Sequence, residues 1–208
     1  MDFDESLAAA QAGDEDGFAM IWRELHPPLV RYLRVLVPSS ADDVASECWL
    51  QVMRSLGGFR GDQAGFTSWL FTIARSKVID SKRRDKRRPT EPFDGAPGDT
   101  FAASDDTEAL VLQRLDTETA LKLIAELPAE QAEIIMLRVV SDLDVAAVAS
   151  IVRKSQGAVR ATTHRALMSL RRRWEATELA AGLTNVSDGE PLGQSGGRTK
   201  SSSKAVTA

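Results

Sequence analysis

Apolar residues recur at helical spacing along most of the chain. In residues 15–26, for example, Phe18, Ile21, Trp22 and Leu25 fall on one side of a helix. Pro27 and Pro28 are predicted to end that helix and to start the next one. The pattern therefore predicts an all-α protein. In the first part of the chain, the predicted helices cover residues 15–26, 29–37, 41–56 and 66–84.

The helical pattern stops between residues 89 and 108. This stretch is rich in proline and glycine, and residues 91–108 contain six carboxylates and no base. Such a composition cannot bury a core, and it predicts a flexible acidic linker. We therefore predict two small helical domains joined by this linker. The predicted divisions are an acidic lead at 1–13, a first domain at 14–88, the linker at 89–108, a second domain at 109–174 and a mostly disordered extension at 175–208.

Residues 144–174 read as two helices joined by a tight turn, the second of them long and basic. Ser155 is a suitable N-cap for the second helix. On that helix Val159, Thr163, Ala166 and Leu170 are predicted to face inward. The pattern is typical of a helix-turn-helix DNA reader, although an ordinary helical hairpin with a solvated basic face fits these residues equally well. The residues predicted to point outward are Arg160, Ala161, His164, Arg165, Met168 and Arg171.

The net charge of −4 conceals strong segregation of opposite charges. Residues 1–16 hold six acids and no base, whereas 75–88 hold eight bases and 153–173 hold seven. Basic blocks of this kind favour contact with phosphates. The single cysteine, Cys48, excludes an intramolecular disulfide and indicates a reducing compartment. With neither a signal peptide nor a membrane-length apolar run, the chain is expected to be cytoplasmic.

The sequence offers no enzyme site. His26 and His164 are the only histidines, and neither a glycine-rich phosphate loop nor metal-ligand spacing accompanies them. We therefore expect no catalytic residue, no metal and no cofactor. Two binding functions remain: a subunit that works with a polymerase, or a free-standing helix-turn-helix regulator.

Four segments in a fixed order carry a resemblance to a known family. Together they resemble the extracytoplasmic-function (ECF) sigma factors, the compact two-domain members of the bacterial RNA polymerase sigma family. The resemblance covers about residues 14–173. It implies a promoter-specificity subunit that binds core polymerase, directs it to promoters and promotes DNA melting. The segments are ADDVASECWL (41–50), FRGDQAGFTSWLFTIARSKVIDSKRRDKRR (59–88), ELPAEQAEIIMLRVV (126–140) and VASIVRKSQGAVRATTHRALMSLRRR (148–173).

The resemblance implies two DNA-binding surfaces. The outward face of the last helix would read the minus-thirty-five promoter element, and the loop and helix from 57 onward would capture unpaired bases of the minus-ten element. The implied minus-thirty-five residues are Arg160, Ala161, His164, Arg165 and Arg171. The implied minus-ten and melting residues are Phe59, Arg60, Trp69, Phe71, Ser76, Lys77, Arg83, Arg84, Arg87 and Arg88.

The resemblance also implies protein partners. Asp43, Glu47, Trp49 and Leu50 would dock on the clamp coiled coil of the polymerase largest subunit, and the flap region would be a second contact. An anti-sigma factor is a further implied partner. The acidic linker resembles a segment that threads the polymerase cleft, where it would mimic nucleic acid. Alternatively, the linker is a passive tether between the domains, for which the same acidic composition would serve.

Three positions depart from the family pattern. Ser46 stands where the docking helix often has glutamine, and Ser76 stands where the melting helix often has asparagine. Arg153 replaces the glycine that is usual at the helix-turn-helix turn. That turn must therefore either avoid a left-handed backbone or accept the strain of reaching it.

Overall fold

The computed structural model describes residues 2–87 and 108–187, with side chains described for 2–87 and 117–176. The described residues form helices and turns without any strand, so the all-α prediction is confirmed. The prediction for the linker at 89–107, the position of Arg88 and the chain after 187 lie outside the described residues. The α-helices are α1 (Phe3–Gln11), α2 (Glu15–Leu36), α3 (Ala41–Ser55), α4 (Gln63–Arg87), α5 (Glu108–Ala125), α6 (Ala129–Ile135), α7 (Val145–Val152) and α8 (Gln156–Ser187).

Helices α1 to α4 form the N-terminal domain. Its core is built where the apolar faces of α2, α3 and α4 meet, around the fully buried rings of Tyr32, Phe66 and Phe71. Tyr32 and Phe71 contact edge to face with their ring centroids 5.3 Å apart. Each buried aromatic ring removes a large apolar area from water and so stabilises the domain.

The acidic lead forms a capped helix. Asp2 accepts a hydrogen bond from the Glu5 amide at 2.8 Å, and the Glu5 carboxylate accepts one from the Asp2 amide at 3.0 Å. This reciprocal pair is a capping box. Helix α1 then packs closely on α2 at Gly17, where an added Cβ would lie 2.7 Å from the Ser6 carbonyl oxygen. Only glycine allows that approach.

The predicted break at Pro27 and Pro28 is wrong, because α2 runs unbroken from Glu15 to Leu36. A proline inside a helix removes one backbone hydrogen bond and crowds the preceding turn. Burial outweighs that loss here. On both sides of the prolines the helix places apolar residues at helical spacing in the core: Ile21, Leu25, Leu29, Tyr32, Leu33 and Leu36.

Residues 108–174, from α5 into α8, form the C-terminal domain. Helix α6 continues as one wider π-helical turn over Met136–Val140, and α7 and α8 follow as the two helices of the helix-turn-helix. The core takes Ile134, Leu137 and Val148, all fully buried, together with the inner side of α8. Helix α8 continues to Ser187, into the extension at 175–208 that was predicted to be mostly disordered.

The two domains pack against each other, and residues 1–174 form one compact unit. Helix α2 contacts α5, α6 and the π-helical turn, and α4 contacts α7. Among the helices that the structure describes, none is both long and apolar enough to span a membrane.

Candidate nucleic-acid interface

The turn before α8 has a left-handed backbone at Arg153. This residue ends α7 with φ 56° and ψ 49°, and its amide donates to the carbonyls of Ala149 and Ser150. A side chain in this conformation costs about 1 kcal/mol relative to glycine. The sequence allowed a turn that avoids the left-handed backbone or one that accepts its strain. The turn adopts the left-handed, strained backbone. The predicted cap is also present, because Ser155 Oγ accepts from the Ala158 amide at 3.2 Å.

The outward face of α8 is where the sequence placed it. The side chains of Arg160, His164 and Arg165 are exposed, as are those of Ala161, Met168 and Arg171. Val159 and Ala166 are fully buried on the opposite side, as predicted. One inward residue differs, since Thr162 is buried whereas Thr163 is half-buried and donates to the Val159 carbonyl at 2.9 Å.

The two arginines at the start of this face have no carboxylate partner among the described residues. Arg160 donates to Gln156 Oε1 at 3.4 Å, and Arg165 donates to Thr162 Oγ1 at 3.0 Å. Both acceptors are neutral, so each guanidinium keeps its full charge near the helix surface. A fork of donors aimed outward from the first turns of a helix is what base edges and phosphates require.

The loop before α4 is held in place by α1, which sequence reasoning left out. Gln11 Nε2 donates to the carbonyls of Leu56 and Phe59 at 3.0 and 2.9 Å. Arg60 donates back to the Gly57 and Phe59 carbonyls at 2.9 and 2.6 Å, and Asp62 accepts from the Gly65 amide at 2.8 Å. The loop is thus fixed before any ligand arrives.

Three aromatic rings lie together at the start of α4. Phe59 and Trp69 stack with centroids 5.1 Å apart and an interplanar angle of 27°. Phe66 meets both rings edge to face, at 5.2 and 5.4 Å. Phe59 and Trp69 are only half-buried, so each leaves part of its ring accessible. Such rings can stack on unpaired bases.

Phe71 does not belong to that surface. Its side chain is fully buried, and its ring packs edge to face on Tyr32. Positions 67, 71, 74 and 78 follow helical spacing and all are buried, so helical periodicity alone assigns Phe71 to the core. The predicted placement of Phe71 at the DNA-facing surface is therefore wrong.

The basic half of α4 is tied to acidic side chains. Glu47 of α3 accepts from Lys77 at 3.1 Å and lies 3.5 Å from Arg84, while Arg83 lies 3.8 Å from Asp80. The hydrogen bond from Lys77 lowers the pKa of Glu47 below its ordinary value. Ser76 and Arg87 are exposed. Three cations of this surface, Lys77, Arg83 and Arg84, are therefore paired within the domain.

Comparison with known proteins gives two family matches in the order of the two domains. Residues 21–88 match Sigma-70 region 2, and residues 117–170 match Sigma-70 region 4. The ECF RNA polymerase sigma factor SigD of Mycobacterium tuberculosis (strain ATCC 25618 / H37Rv) is 33% identical over 174 residues, covering 81% of this chain and 82% of SigD. The chain belongs to the ECF RNA polymerase sigma factors.

Other relatives and solved structures agree with this membership. The ECF sigma factor ShbA of Streptomyces griseus subsp. griseus is 31% identical over 173 residues, covering 78% of this chain and 90% of ShbA. A structure of CnrH in complex with the cytosolic domain of CnrY has a TM-score of 0.56 at 20% identity and covers 84% of this chain and 99% of CnrH. At that identity the structural likeness supports the fold.

Membership of the family confirms the predicted function. The protein is an RNA polymerase sigma factor, which binds core polymerase and promoter DNA and promotes melting in transcription initiation. A free-standing regulator is not favoured, because such a protein would leave the region 2 match unexplained.

The outer surface of α3 differs from the predicted docking set at one residue. Asp43 and Leu50 of this sigma factor are exposed and Glu47 is half-buried, but Trp49 is 6% exposed. Its indole Nε1 donates to His26 Nδ1 at 3.1 Å. Trp49 lies one turn from the buried residues Ala45 and Val52, so it faces the core, and its predicted surface placement is wrong.

Sequence reasoning missed the exposure of other apolar residues near this surface. Trp22 of α2, which the sequence assigned to the apolar side of its helix, is 40% exposed, and Met53 of α3 is 58% exposed one turn from Leu50. The Trp22 ring stacks on His26 with centroids 4.2 Å apart. Burial in this cluster lowers the pKa of His26. The spacing of Leu50 and Met53 was the signal available in the sequence.

Proposed function

We propose that the exposed face of α8 reads the minus-thirty-five element of the promoter. Arg160, Ala161, His164 and Arg165 would face base edges, and Arg171 would lie along the DNA backbone. Two observations support this role: Ser155 caps the helix that points these residues outward, and within the described part of the chain both early arginines bond only neutral groups. Their charge is therefore available to DNA.

The start of α4 and the loop before it would capture unpaired bases of the minus-ten element. Support comes from the part-exposed stack of Phe59 and Trp69 in a loop already fixed by hydrogen bonds. A fixed aromatic platform loses little entropy when a base stacks on it. The backbone of the melted strand would follow Arg60, Ser76, Lys77, Arg83, Arg84, Arg87 and Arg88.

Two surfaces suit core polymerase. On α3, Asp43, Glu47 and Leu50 would contact the largest-subunit clamp, and exposed Met53 extends that apolar strip. In the C-terminal domain, an apolar groove lined by Leu123, Ile135, Val139, Leu167 and Trp174 would take the flap region. Exposed apolar side chains grouped in this way mark protein contacts.

We further propose an anti-sigma partner, no enzymatic activity of its own and a cytoplasmic place of action. RpoE of Bartonella quintana, solved in complex with the anti-sigma factor NepR, has a TM-score of 0.57 at 20% identity and covers 76% of this chain and 96% of RpoE. The fold that accepts such a partner there is the fold described above.

One transcription experiment tests these roles together. Purified chain is added to core polymerase with genomic promoter fragments, and run-off transcripts are mapped. We expect discrete transcripts that require both components, and loss of them when Arg160 and Arg165 are both replaced by alanine. Binding of the chain alone, as a dimer, to a palindromic duplex would instead identify a free-standing regulator.

A further inference from the structure

A single carboxylate of the C-terminal domain joins two residues of the N-terminal domain. Glu133 of α6 accepts from Arg75 Nε of α4 at 2.8 Å. The same oxygen accepts from the Tyr32 hydroxyl of α2 at 3.4 Å. Both partners of the ion pair are largely covered, with 22% of the Arg75 side chain and 17% of the Glu133 side chain exposed. Such pairing is stronger than one at an open surface.

The packing also places carboxylates opposite the proposed minus-ten loop. Asp142 and Asp144, which precede α7, share a cleft with Asp62, Gln63 and Ser68 at the start of α4. Asp2, Asp4 and Glu24 line the same cleft, and no lysine or arginine does so among its described residues. A DNA strand that approached the loop through this cleft would meet like charge at short range.

The packed form is too small to read both promoter elements together. The names of the two elements place them about 25 base pairs apart, which is about 85 Å along a duplex at about 3.4 Å per base pair. A compact unit of 174 residues has a radius of gyration of about 16 Å, and so a diameter of about 40 Å. The domains must separate before both elements are bound.

We propose that the packing of the C-terminal domain on the N-terminal domain is an autoinhibited closed state, latched by Glu133 between Arg75 and Tyr32. The inhibitory effect of this latch depends on the proposed roles of the two DNA-binding surfaces. In the closed state, the corner at Asp142 and Asp144 covers the approach to the minus-ten loop. Breaking the latch opens the approach to the minus-ten loop and exposes the Tyr32 hydroxyl to water.

The test compares two glutamate variants on the same helix. Glu133→Gln removes the charge of the latch, whereas Glu130→Gln removes that of an ion pair with Lys154 at 2.8 Å, which lies inside the C-terminal domain. Labels for energy transfer are attached at Ser55→Cys and Ser150→Cys, both at exposed positions on different domains. Burial raises the pKa of Cys48 to about 12, so the native thiol stays unlabelled.

We expect Glu133→Gln to raise the open fraction of the free chain about fivefold, since loss of a partly covered pair shifts a two-state equilibrium by roughly that factor. Glu130→Gln should leave energy transfer unchanged. The swap Arg75→Glu with Glu133→Arg should restore the closed fraction that either single change lowers, which separates a latch from misfolding.

The functional arm uses the same chains with core polymerase at limiting sigma factor. Glu133→Gln should increase the initial rate of run-off transcription about two- to fivefold over wild type. Unchanged energy transfer in Glu133→Gln overturns the latch. Increased separation with an unchanged transcription rate overturns autoinhibition while keeping the contact. Absence of sigma-dependent transcription in wild type contradicts the proposed function instead, and the energy-transfer result stands apart from it.

Discussion

The two DNA-facing surfaces of this sigma factor differ in how their cations are held. On α4, Lys77 and Arg84 share Glu47, and Arg83 lies near Asp80. On α8, the bonds of Arg160 and Arg165 to described residues go to a neutral amide and a hydroxyl. DNA phosphate must therefore compete with carboxylates on the first surface, whereas it meets unneutralised charge on the second.

The backbones of the two domains differ in a parallel way. Within the described residues, the N-terminal domain has glycine at both of its positive-φ positions, Gly13 and Gly61. The C-terminal domain has Asp142 and Arg153 at its two positive-φ positions. The backbone of the C-terminal domain is therefore the more strained of the two domains. Its α8 surface also carries the arginines whose charge is more available to DNA. Backbone strain and available charge both suit a surface that changes conformation or partner.

The largest predicted effect is a loss of folding stability that distinguishes core aromatic residues from surface ones in the N-terminal domain. Phe71→Ala should lower the free energy of unfolding by about 3–5 kcal/mol, because it empties a fully buried site beside Tyr32. Trp69→Ala, at a half-buried ring, should cost less stability while abolishing promoter opening. Denaturant unfolding and permanganate footprinting of the melted strand measure the two effects. Equal loss of stability in both variants would mean that Trp69 is also a core residue.

The next effect compares the same change on the two basic surfaces. Arg160→Ala should weaken promoter binding by holoenzyme by about 1–3 kcal/mol, whereas Arg84→Ala should cost under about 1 kcal/mol because Glu47 already holds that charge. Arg23→Ala is the control, since Arg23 is exposed on α2 and belongs to neither proposed DNA-binding surface. Filter binding over a range of salt measures all three. An Arg84 effect as large as that of Arg160 would remove the contrast between the surfaces.

Much of this arrangement could be predicted from the sequence, and the failures share a cause. The outward face of α8 followed from helical periodicity, because Val159 and Ala166 fix its inner side. Trp49 and Phe71 were misplaced because their aromatic character received more weight than their helical phase, which places both on buried faces.

The other errors concern competing local and tertiary effects. Pro27 and Pro28 favour a break, yet six buried residues of α2 on one face outweigh the lost hydrogen bonds. Helix α1 was missed although Asp2 and Glu5 have capping-box spacing. The contact between Glu133 and Arg75 has no local signal, because 58 residues separate the partners.

A smaller effect tests the strained turn. Arg153→Gly should raise the free energy of unfolding by about 0.5–1 kcal/mol, since glycine takes a left-handed backbone without the clash of a side chain, less the extra freedom it gives the unfolded chain. Gly61→Ala should destabilise the N-terminal domain, where φ is 153° and the added Cβ would meet the Phe59 ring at 3.0 Å. Thermal unfolding of each variant and of wild type measures both changes in stability. A destabilised Arg153→Gly variant would show that the arginine side chain itself stabilises the turn.

The smallest effect is a pH dependence confined to the N-terminal domain. Burial against Trp22 and Trp49 lowers the pKa of His26 below its ordinary 6.5; Asp42 opposes this shift and Arg34 adds to it. Above pH 6.5 the imidazole is neutral in both states, and Nδ1 accepts the Trp49 hydrogen bond. As the pH falls below 6.5, the unfolded chain takes up the proton first. Stability is therefore lost progressively until the pH reaches the folded pKa.

His26→Gln keeps an acceptor for Trp49 and does not titrate, so its unfolding temperature should fall less between pH 7.5 and 5.5 than that of wild type. His164→Gln, on the exposed face of α8, is the control. Carboxylate titration is common to all three chains and cancels in the comparison. If wild type and His26→Gln lose stability equally over this range, the hydrogen bond between Trp49 and His26 does not couple the fold to pH. The differing electrostatics of the two domains would then concern their DNA-facing cations alone.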